Sequence, residues 1–159
     1  MLRERKFPID GELVVMATSE RKETLAGETF NVKKVDENIF KKLDLVFFEG
    51  KEGAKGASIQ WGDIAVKSGC VVIDNGSDFR MYPNYLLVVP EINMDVVTKG
   101  TRYICNPNCS TIQMVVALAP LHRASKIYRI TVSTYQAVSG YGGAAIDELR
   151  KETSQVING

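Results

Sequence analysis

Residues 44–74 read DLVFFEGKEGAKGASIQWGDIAVKSGCVVID, and this stretch decides the fold. Residues 44–48 and 69–74 are short and almost wholly apolar, as strands buried on both faces of a parallel sheet are. Between them, residues 59–67 have the apolar spacing of a short helix, and Gly69 stands where a helix C-cap is preferred. A strand, a helix and another strand in this order predict a βαβ unit.

Further elements extend this pattern on both sides. Residues 12–17 (ELVVMA) and 86–89 (LLVV) are two more candidates for buried strands. The glycine-rich loop at residues 50–56 directly follows a strand, and ligands of an open parallel sheet lie at the carboxyl ends of strands. The first part of the chain is therefore predicted to be an α/β sheet with its site at that edge.

The hydrophobic period changes after Pro107, which marks our predicted domain boundary. Positions 112, 115, 116 and 118 are apolar, the spacing of a core-facing helix stripe. Residues 126–136 (KIYRITVSTYQ) then alternate bulky and polar side chains, which predicts a strand with one exposed face. Residues 144–157 are expected to form one more helix.

Composition limits the classes of protein that this chain can belong to. Its 159 residues suffice for one domain, or for one domain and the beginning of another. Lys and Arg number 20 against 19 for Asp and Glu, so no net field favours nucleic acid or a membrane surface as a partner. No run of about 18 apolar residues and no signal-peptide core occur, so we expect a cytoplasmic protein. Cys70, Cys105 and Cys109 lack the Cys-x-x-Cys spacing of metal or redox sites, and free thiols are expected.

The segment at residues 105–111 (CNPNCST) carries the strongest chemical signal. Pro107 and Asn108 favour a turn, after which Cys109 falls in the first turn of a helix. Unpaired amides and the helix dipole favour an anion there, so Cys109 is a candidate nucleophile with a readily formed thiolate. A small, inert residue packed at a helix start is the alternative reading, because free cysteines are commonly buried.

Residues 106–111 (NPNCST) also resemble the active-site motif of the aspartate-semialdehyde dehydrogenases. Residues 71–81 (VVIDNGSDFRM), 87–93 (LVVPEIN) and 132–140 (VSTYQAVSG) are similar to three further motifs of this family, in the same order. The related N-acetyl-glutamyl-phosphate reductases usually have Gly-Cys-Tyr after the Asn-Pro pair. Asn108 and Ser110 therefore favour the aspartyl branch.

The resemblance implies roles for four residues. Cys109 matches the nucleophile that forms an acyl-thioester, and Gln136 matches the residue that contacts the substrate beside it. Arg80 matches the arginine that binds phosphate, and its guanidinium fork suits that group. Asn108 can lend an amide to the same phosphate. From the residues alone, an outward polar strand residue explains Gln136, a surface cation explains Arg80, and a turn explains Asn108.

The resemblance also implies NADP as cofactor. Arg21 and Lys22 follow the first strand, where the family binds the adenosine 2′-phosphate, although a solvated turn explains these cations equally well. Ser139 and Gly140 match positions near the nicotinamide, and Gly140 permits close backbone approach. The charged loop at residues 49–53 (EGKEG) departs from the family pattern of small residues.

Two parts of the family pattern are expected to be missing. We identify no first strand that leads into the Gly-x-x-Gly-x-x-Gly turn of a pyrophosphate site, and residues 1–8 resemble the end of the helix that follows that turn in the family. The family's catalytic histidine lies in its later half, and His122 is the one histidine here. If Cys109 and His122 bracket one helix, roughly 20 Å separates them. We therefore expect His122 to be a helix C-terminal cation rather than the base.

The predicted fold class is α/β: an incomplete Rossmann-like doubly wound parallel sheet, followed by the start of an α+β catalytic and dimerisation domain. Residues 1–107 are assigned to the partial dinucleotide-binding domain and residues 108–159 to the second domain. The resemblance implies reduction of L-aspartyl-4-phosphate to aspartate semialdehyde, a small-molecule substrate with phosphate, and a family homodimer. Alternatives are a non-catalytic remnant, a complementing subunit of a split enzyme, and a reductase of the N-acetyl-glutamyl-phosphate type. The isolated chain, as a fragment, is expected to show little dehydrogenase activity.

Overall fold

The computed structural model describes residues 5–25, 27–49 and 56–158, and the chain divides into two compact units, residues 1–112 and residues 113–159. The helices are α1 (Glu37–Phe40), α2 (Ala57–Lys67), α3 (Pro90–Asn93), α4 (Cys109–Ala124) and α5 (Gly143–Asn158). The strands are β1 (Met16–Ala17), β2 (Arg21–Leu25), β3 (Glu28–Lys34), β4 (Leu45–Phe48), β5 (Val71–Asp74), β6 (Leu86–Leu87) and β7 (Tyr103–Cys105). Short 3₁₀ helices lie at Met94–Val96 and Val138–Tyr141.

A four-stranded parallel sheet dominates the first unit. Its strand order is β4-β5-β7-β6, and each neighbouring pair is parallel. This sheet confirms the predicted Rossmann-like α/β fold class, and β4 and β5 lie in the predicted stretches. The predicted strand at residues 86–89 is shorter, because Pro90 begins α3 and Val89 is its N-cap. β7 was not predicted.

Helix α2 packs on this sheet and encloses the core. Phe40 and Val72 are fully buried, and the Phe40 ring lies edge-on to Phe48 at 6.5 Å and tilted against Trp61 at 6.0 Å. The helix ends where the sequence predicted, because Gly69 has a φ of +99°, the left-handed conformation that glycine adopts at little cost.

A second, three-stranded sheet in the first unit has the order β1-β3-β2. β2 and β3 form an antiparallel hairpin, and β1 runs parallel to the last residues of β3. The predicted strand at residues 12–17 is wrong in length and in burial. Met16–Ala17 alone is a strand and is only half-buried, because it pairs at the end of β3 instead of inside the parallel sheet.

The second unit is built of helical segments in the part that the structure describes. The predicted helix at residues 144–157 is confirmed as α5. The predicted strand at residues 126–136 is wrong: these residues are not in a strand, and nearly all are exposed. A strand needs ladder hydrogen bonds to a partner, and the described residues of this unit contain no other strand to provide them.

Helix α4 confirms the predicted helix but not its predicted burial. No residue of α4 is buried, so the stripe at positions 112, 115, 116 and 118 is at most partly covered. Among the described residues, none of the helices is both long and apolar enough to cross a membrane.

Candidate active site

The carboxyl ends of β5 and β7 lie side by side, because the strands are parallel with Asp74 opposite Cys105. Hydrogen bonding continues beyond the last strand residues. The main-chain amide of Asn106 donates to the main-chain carbonyl of Asp74 at 2.7 Å, and the main-chain amide of Asn75 donates to that of Phe48 at 3.0 Å. The segments that follow β5 and β7 are therefore anchored at the edge where open parallel sheets bind ligands.

Asp74 is the buried polar centre of this edge. Its carboxyl group is fully buried, and Oδ1 accepts hydrogen bonds from Ser58 Oγ at 2.7 Å and from the Gly76 amide at 2.8 Å. Oδ2 accepts from the Tyr103 hydroxyl at 2.7 Å. These donors satisfy a carboxyl group that would otherwise be costly to bury. They also join the start of α2, the turn after β5 and the start of β7.

The Tyr103 phenol is fixed on several sides. Burial, and then the hydrogen bond to Asp74 and its charge, raise the pKa of Tyr103 above the ordinary value of a phenol. Its ring stands perpendicular to Phe79 at 5.6 Å and near-perpendicular to Tyr85 at 4.8 Å. Helix α2 approaches the ring through Gly62, where an added Cβ would lie 2.9 Å from Cε2 of Tyr103.

Arg80 links the segments that follow β5 and β7. Its Nε donates to the Asn106 carbonyl at 2.9 Å, and Nη2 donates to the Asn75 carbonyl at 2.8 Å. Arg80 is half-buried, so its guanidinium is held within the sheet edge rather than extended into solvent. The two asparagine side chains also meet, since Asn106 Nδ2 donates to Asn75 Oδ1 at 2.7 Å, and Asn75 Nδ2 donates to Glu49.

Cys109 is the first residue of α4, so it lies in the first turn of a helix as the sequence predicted, and its side chain is exposed. Asn108 caps the helix: its Oδ1 accepts from the amides of Ser110 at 3.0 Å and Thr111 at 3.3 Å. Asn108 thus has the local structural role that the sequence allowed for it. The cap uses its Oδ1 and does not use its Nδ2. Cys109 lies three positions after Asn106, so the nucleophile candidate and the Arg80 partner share one short segment.

The other two cysteines differ from Cys109 in burial. None of the three forms a disulfide in the part of the chain that the structure describes, and Cys70 and Cys105 are buried whereas Cys109 is exposed. Burial and the nearby Asp74 raise the pKa of Cys105 to about 11 although Arg80 lowers it, and burial with the charge of Asp44 raises the pKa of Cys70. Both therefore stay protonated and shielded at neutral pH.

The remaining candidates lie away from the edge of the parallel sheet. Arg21 and Lys22 begin β2 in the three-stranded sheet, and Arg21 forms an ion pair with Glu23 at 2.7 Å. Gln136 is an exposed residue of the second unit, and Ser139 and Gly140 lie in its 3₁₀ helix. The structure thus brings Arg80, Asn108 and Cys109 into neighbouring segments of one unit, whereas the other candidates occupy the second sheet or the second unit.

His122 lies in the last turn of α4, as predicted. Its Nδ1 accepts a hydrogen bond from the Ile127 amide at 3.1 Å. The imidazole thus contacts the main chain just beyond the C-terminal end of α4. The role of His122 as a helix C-terminal cation stays a prediction.

Sequence reasoning missed the polar cluster around Asp74. An aspartate that ends the apolar run at residues 71–74 was an available signal for it, whereas nothing marked Ser58 or Tyr103 as its partners. The expectation that no Gly-x-x-Gly-x-x-Gly spacing occurs was also wrong, because the glycines at 50, 53 and 56, between β4 and α2, have that spacing. Residues 50–55 lie outside the described residues. The carboxylate that such a motif places on ribose would be Asp74, which is instead buried and hydrogen-bonded internally.

Two family models match this chain. Residues 1–100 match the semialdehyde dehydrogenase NAD-binding domain, and residues 118–159 match the semialdehyde dehydrogenase dimerisation domain. The first match alone spans more than half of the chain. The chain therefore belongs to the semialdehyde dehydrogenase family.

The individual relatives are aspartate-semialdehyde dehydrogenases, which confirms the resemblance drawn from the motifs. The enzyme of Aquifex aeolicus (strain VF5) is 46% identical over 166 residues, which cover 100% of this chain and 47% of that protein. Aspartate-semialdehyde dehydrogenase 2 of Vibrio cholerae is 44% identical, with 100% and 48% covered. A crystal structure of aspartate semialdehyde dehydrogenase II from Vibrio cholerae complexed with ASA has a TM-score of 0.85 at 42% identity, covering 99% of this chain and 47% of that one. The chain thus spans about half the length of the relatives it matches.

Proposed function

We propose that this chain carries the acyl-transfer and phosphate-binding part of an aspartate-semialdehyde dehydrogenase. The proposed reaction is the NADPH-dependent reduction of L-aspartyl-4-phosphate to L-aspartate 4-semialdehyde through a thioester on Cys109. This step belongs to the biosynthesis of lysine, threonine and methionine. One observation carries the proposal: an exposed thiol begins α4 three residues after Asn106, whose carbonyl binds the guanidinium of Arg80.

The chemistry of these groups fits the first half of the reaction. The Cys109 thiolate attacks the acyl carbon, a sulfur–carbon bond forms, and the bond from that carbon to the phosphate oxygen breaks. Arg80 is proposed to bind the departing phosphate, because its fork forms charge-assisted hydrogen bonds to such oxygens. Asn108 adds its Nδ2 as a donor, and Gln136 contacts the substrate beside the thioester. When bound, a reduced nicotinamide cofactor would supply the hydride that the thioester carbon needs, and the Cys109 sulfur would leave as thiolate when the aldehyde forms.

The proposed cofactor contacts are supported in part by the described residues. The match to an NAD-binding domain indicates a nicotinamide dinucleotide, and we propose NADP. Arg21 and Lys22 are successive residues of β2 and so project to opposite faces of the sheet. At most one of them can therefore contact a given phosphate while β2 keeps this conformation. Ser139 and Gly140 are proposed to approach the nicotinamide, and among the described residues other than Gly140 and its two chain neighbours no atom lies within 4 Å of a Cβ built on Gly140.

We also propose the domain division and a homodimer. The dinucleotide-binding part would end at residue 107 and the catalytic and dimerisation part begin at residue 108. The match to a dimerisation domain at residues 118–159 supports a dimer contact in the second part.

Trapping of the acyl group tests the proposed first step without any cofactor. The purified chain is mixed with freshly prepared L-aspartyl-4-phosphate, quenched with acid, and analysed by intact and peptide mass spectrometry. We expect one aspartyl adduct, located on Cys109, with Cys70 and Cys105 unmodified because both are buried. Cys109→Ala should abolish the adduct, and Arg80→Ala should slow its formation.

Iodoacetamide labelling in the same samples separates the possible failures. A Cys109 that reacts with iodoacetamide but never with the acyl phosphate would refute the acyl-transfer function. An adduct that survives Cys109→Ala would place the nucleophile elsewhere. Phosphate-dependent reduction of NADP with aspartate semialdehyde then measures whether the chain completes the reaction.

A further inference from the structure

The direction of the Arg80 fork is set by two main-chain carbonyl groups. These carbonyls belong to Asn75, just after β5, and Asn106, just after β7. A guanidinium has five N–H groups, and these bonds use one on Nε and one on Nη2. Three further N–H groups, on Nη1 and Nη2, are not used by them. These N–H groups can therefore face a ligand only while both main-chain carbonyls keep their positions.

A side-chain bridge ties the residues that own these carbonyls. Asn106 Nδ2 donates to Asn75 Oδ1 at 2.7 Å, and both residues are half-buried. The main-chain amides of both residues are already held by carbonyls of the neighbouring strands. Each asparagine is thus fixed at its main-chain amide and at its side chain. This limits rotation of the main-chain carbonyl that accepts from Arg80.

We propose that Asn75 and Asn106 are positioning residues, whose bridge holds the Arg80 fork in the orientation that binds a phosphoryl group. This inference rests on the proposed function, since it takes phosphate as the ligand of Arg80. Neither asparagine side chain needs to touch the ligand. The bridge between the two side chains acts through the two main-chain carbonyls on the orientation of the Arg80 guanidinium.

Substitution by alanine separates the side chain from the carbonyl. Asn75→Ala and Asn106→Ala each remove the bridge and retain the carbonyl that Arg80 uses. We expect either variant of the 159-residue chain to bind inorganic phosphate about three- to tenfold more weakly in isothermal titration, the loss that corresponds to one net hydrogen bond. In an Arg80→Ala background, Asn75→Ala should cause no further loss, because its effect acts through the missing guanidinium.

Asn93→Ala is the matched control. Asn93 is also half-buried, and its amide group makes two hydrogen bonds, from the Val89 amide at 2.8 Å and to the Leu87 carbonyl at 3.0 Å. Its loss should lower the urea midpoint to a similar extent as Asn75→Ala and leave phosphate binding unchanged. If Asn75→Ala does not fold, Asn106→Ala removes the same bridge and provides the same comparison.

The possible outcomes distinguish this inference from the function on which it rests. Equal phosphate binding by the wild-type chain and Arg80→Ala would overturn the proposed role of Arg80, and the inference with it. Weaker binding in Arg80→Ala but normal binding in both asparagine variants would overturn the inference alone. A further loss from Asn75→Ala in the Arg80→Ala background would also overturn it, because the asparagine would then act on the ligand independently of the guanidinium.

Discussion

Removing the Tyr103 hydroxyl should destabilise the fold while leaving the packing of the ring intact. In Tyr103→Phe, Asp74 Oδ2 loses the donor that the described part of the chain gives it, at 2.7 Å. A buried acceptor left without a partner costs about 1–3 kcal/mol. Because this acceptor belongs to the carboxyl group of Asp74, we expect a cost in the upper part of that range. Ser58→Ala should cost less, about 1 kcal/mol, because Oδ1 still accepts from the Gly76 amide.

Urea unfolding at neutral pH measures both changes, and Tyr82→Phe is the matched control. Tyr82 is 58% exposed, and its ring also contacts Phe79, at 5.9 Å. Its substitution should change the free energy of unfolding by less than about 0.5 kcal/mol. If Tyr103→Phe is as stable as Tyr82→Phe, the hydrogen bond to Asp74 contributes nothing, and the reasoning fails.

The Tyr103→Phe variant also tests the proton linkage of Tyr103. Its pKa is raised in the folded state, chiefly by burial and then by Asp74, so the folded chain keeps a proton that the unfolded chain loses above about pH 10. The stabilisation is therefore complete below that pH and decreases as the pH rises further. Tyr103→Phe should lose stability less steeply at alkaline pH than the wild-type chain, and an equally steep loss in both chains would refute this linkage.

Three other substitutions probe the surroundings of the site. Gly62→Ala would place a Cβ 2.9 Å from Cε2 of Tyr103, so thermal unfolding should show a loss of about 1–3 kcal/mol; an unchanged midpoint would mean that α2 moves freely. Burial raises the pKa of Cys105 from 9.0 to about 11, so its contribution to stability is complete below pH 9 and is lost towards pH 11. Urea titrations of Cys105→Ala should therefore show a shallower loss over that interval, and parallel curves would contradict this. Asn108→Ala removes the cap of α4 and should lower the free energy of unfolding in urea by about 0.5–2 kcal/mol. An unchanged free energy of unfolding would show that the cap does not stabilise the helix.

The sequence was sufficient for elements whose signals are local. The apolar runs of β4 and β5 and the amphipathic spacing of α2 identify their own secondary structure, and the glycine at position 69 marks the end of the helix. The position of Cys109 at the start of α4 also follows from neighbouring residues, because the proline and asparagine before it are a turn and a cap.

The elements that failed depend on partners that a single segment cannot specify. Residues 126–136 have the alternation of a strand, yet the described residues of their unit contain no strand that could pair with them. The hairpin β2–β3 is largely polar, so its pairing is not visible as a hydrophobic pattern. Within the candidate site, the bridge between Asn75 and Asn106 joins residues 31 positions apart, and no spacing rule connects them.

Anchoring of the strand-end segments has a consequence for the entropy of ligand binding. The amides of Asn75 and Asn106 prolong the hydrogen-bond ladder of the sheet past its last strand residues. Their conformational freedom is thus lost when the chain folds, and a ligand that arrives later has no need to order this backbone. Binding of the proposed phosphoryl group at this edge would therefore be nearly rigid-body, even though Asn75 and Asn106 belong to connecting segments rather than to strands or helices.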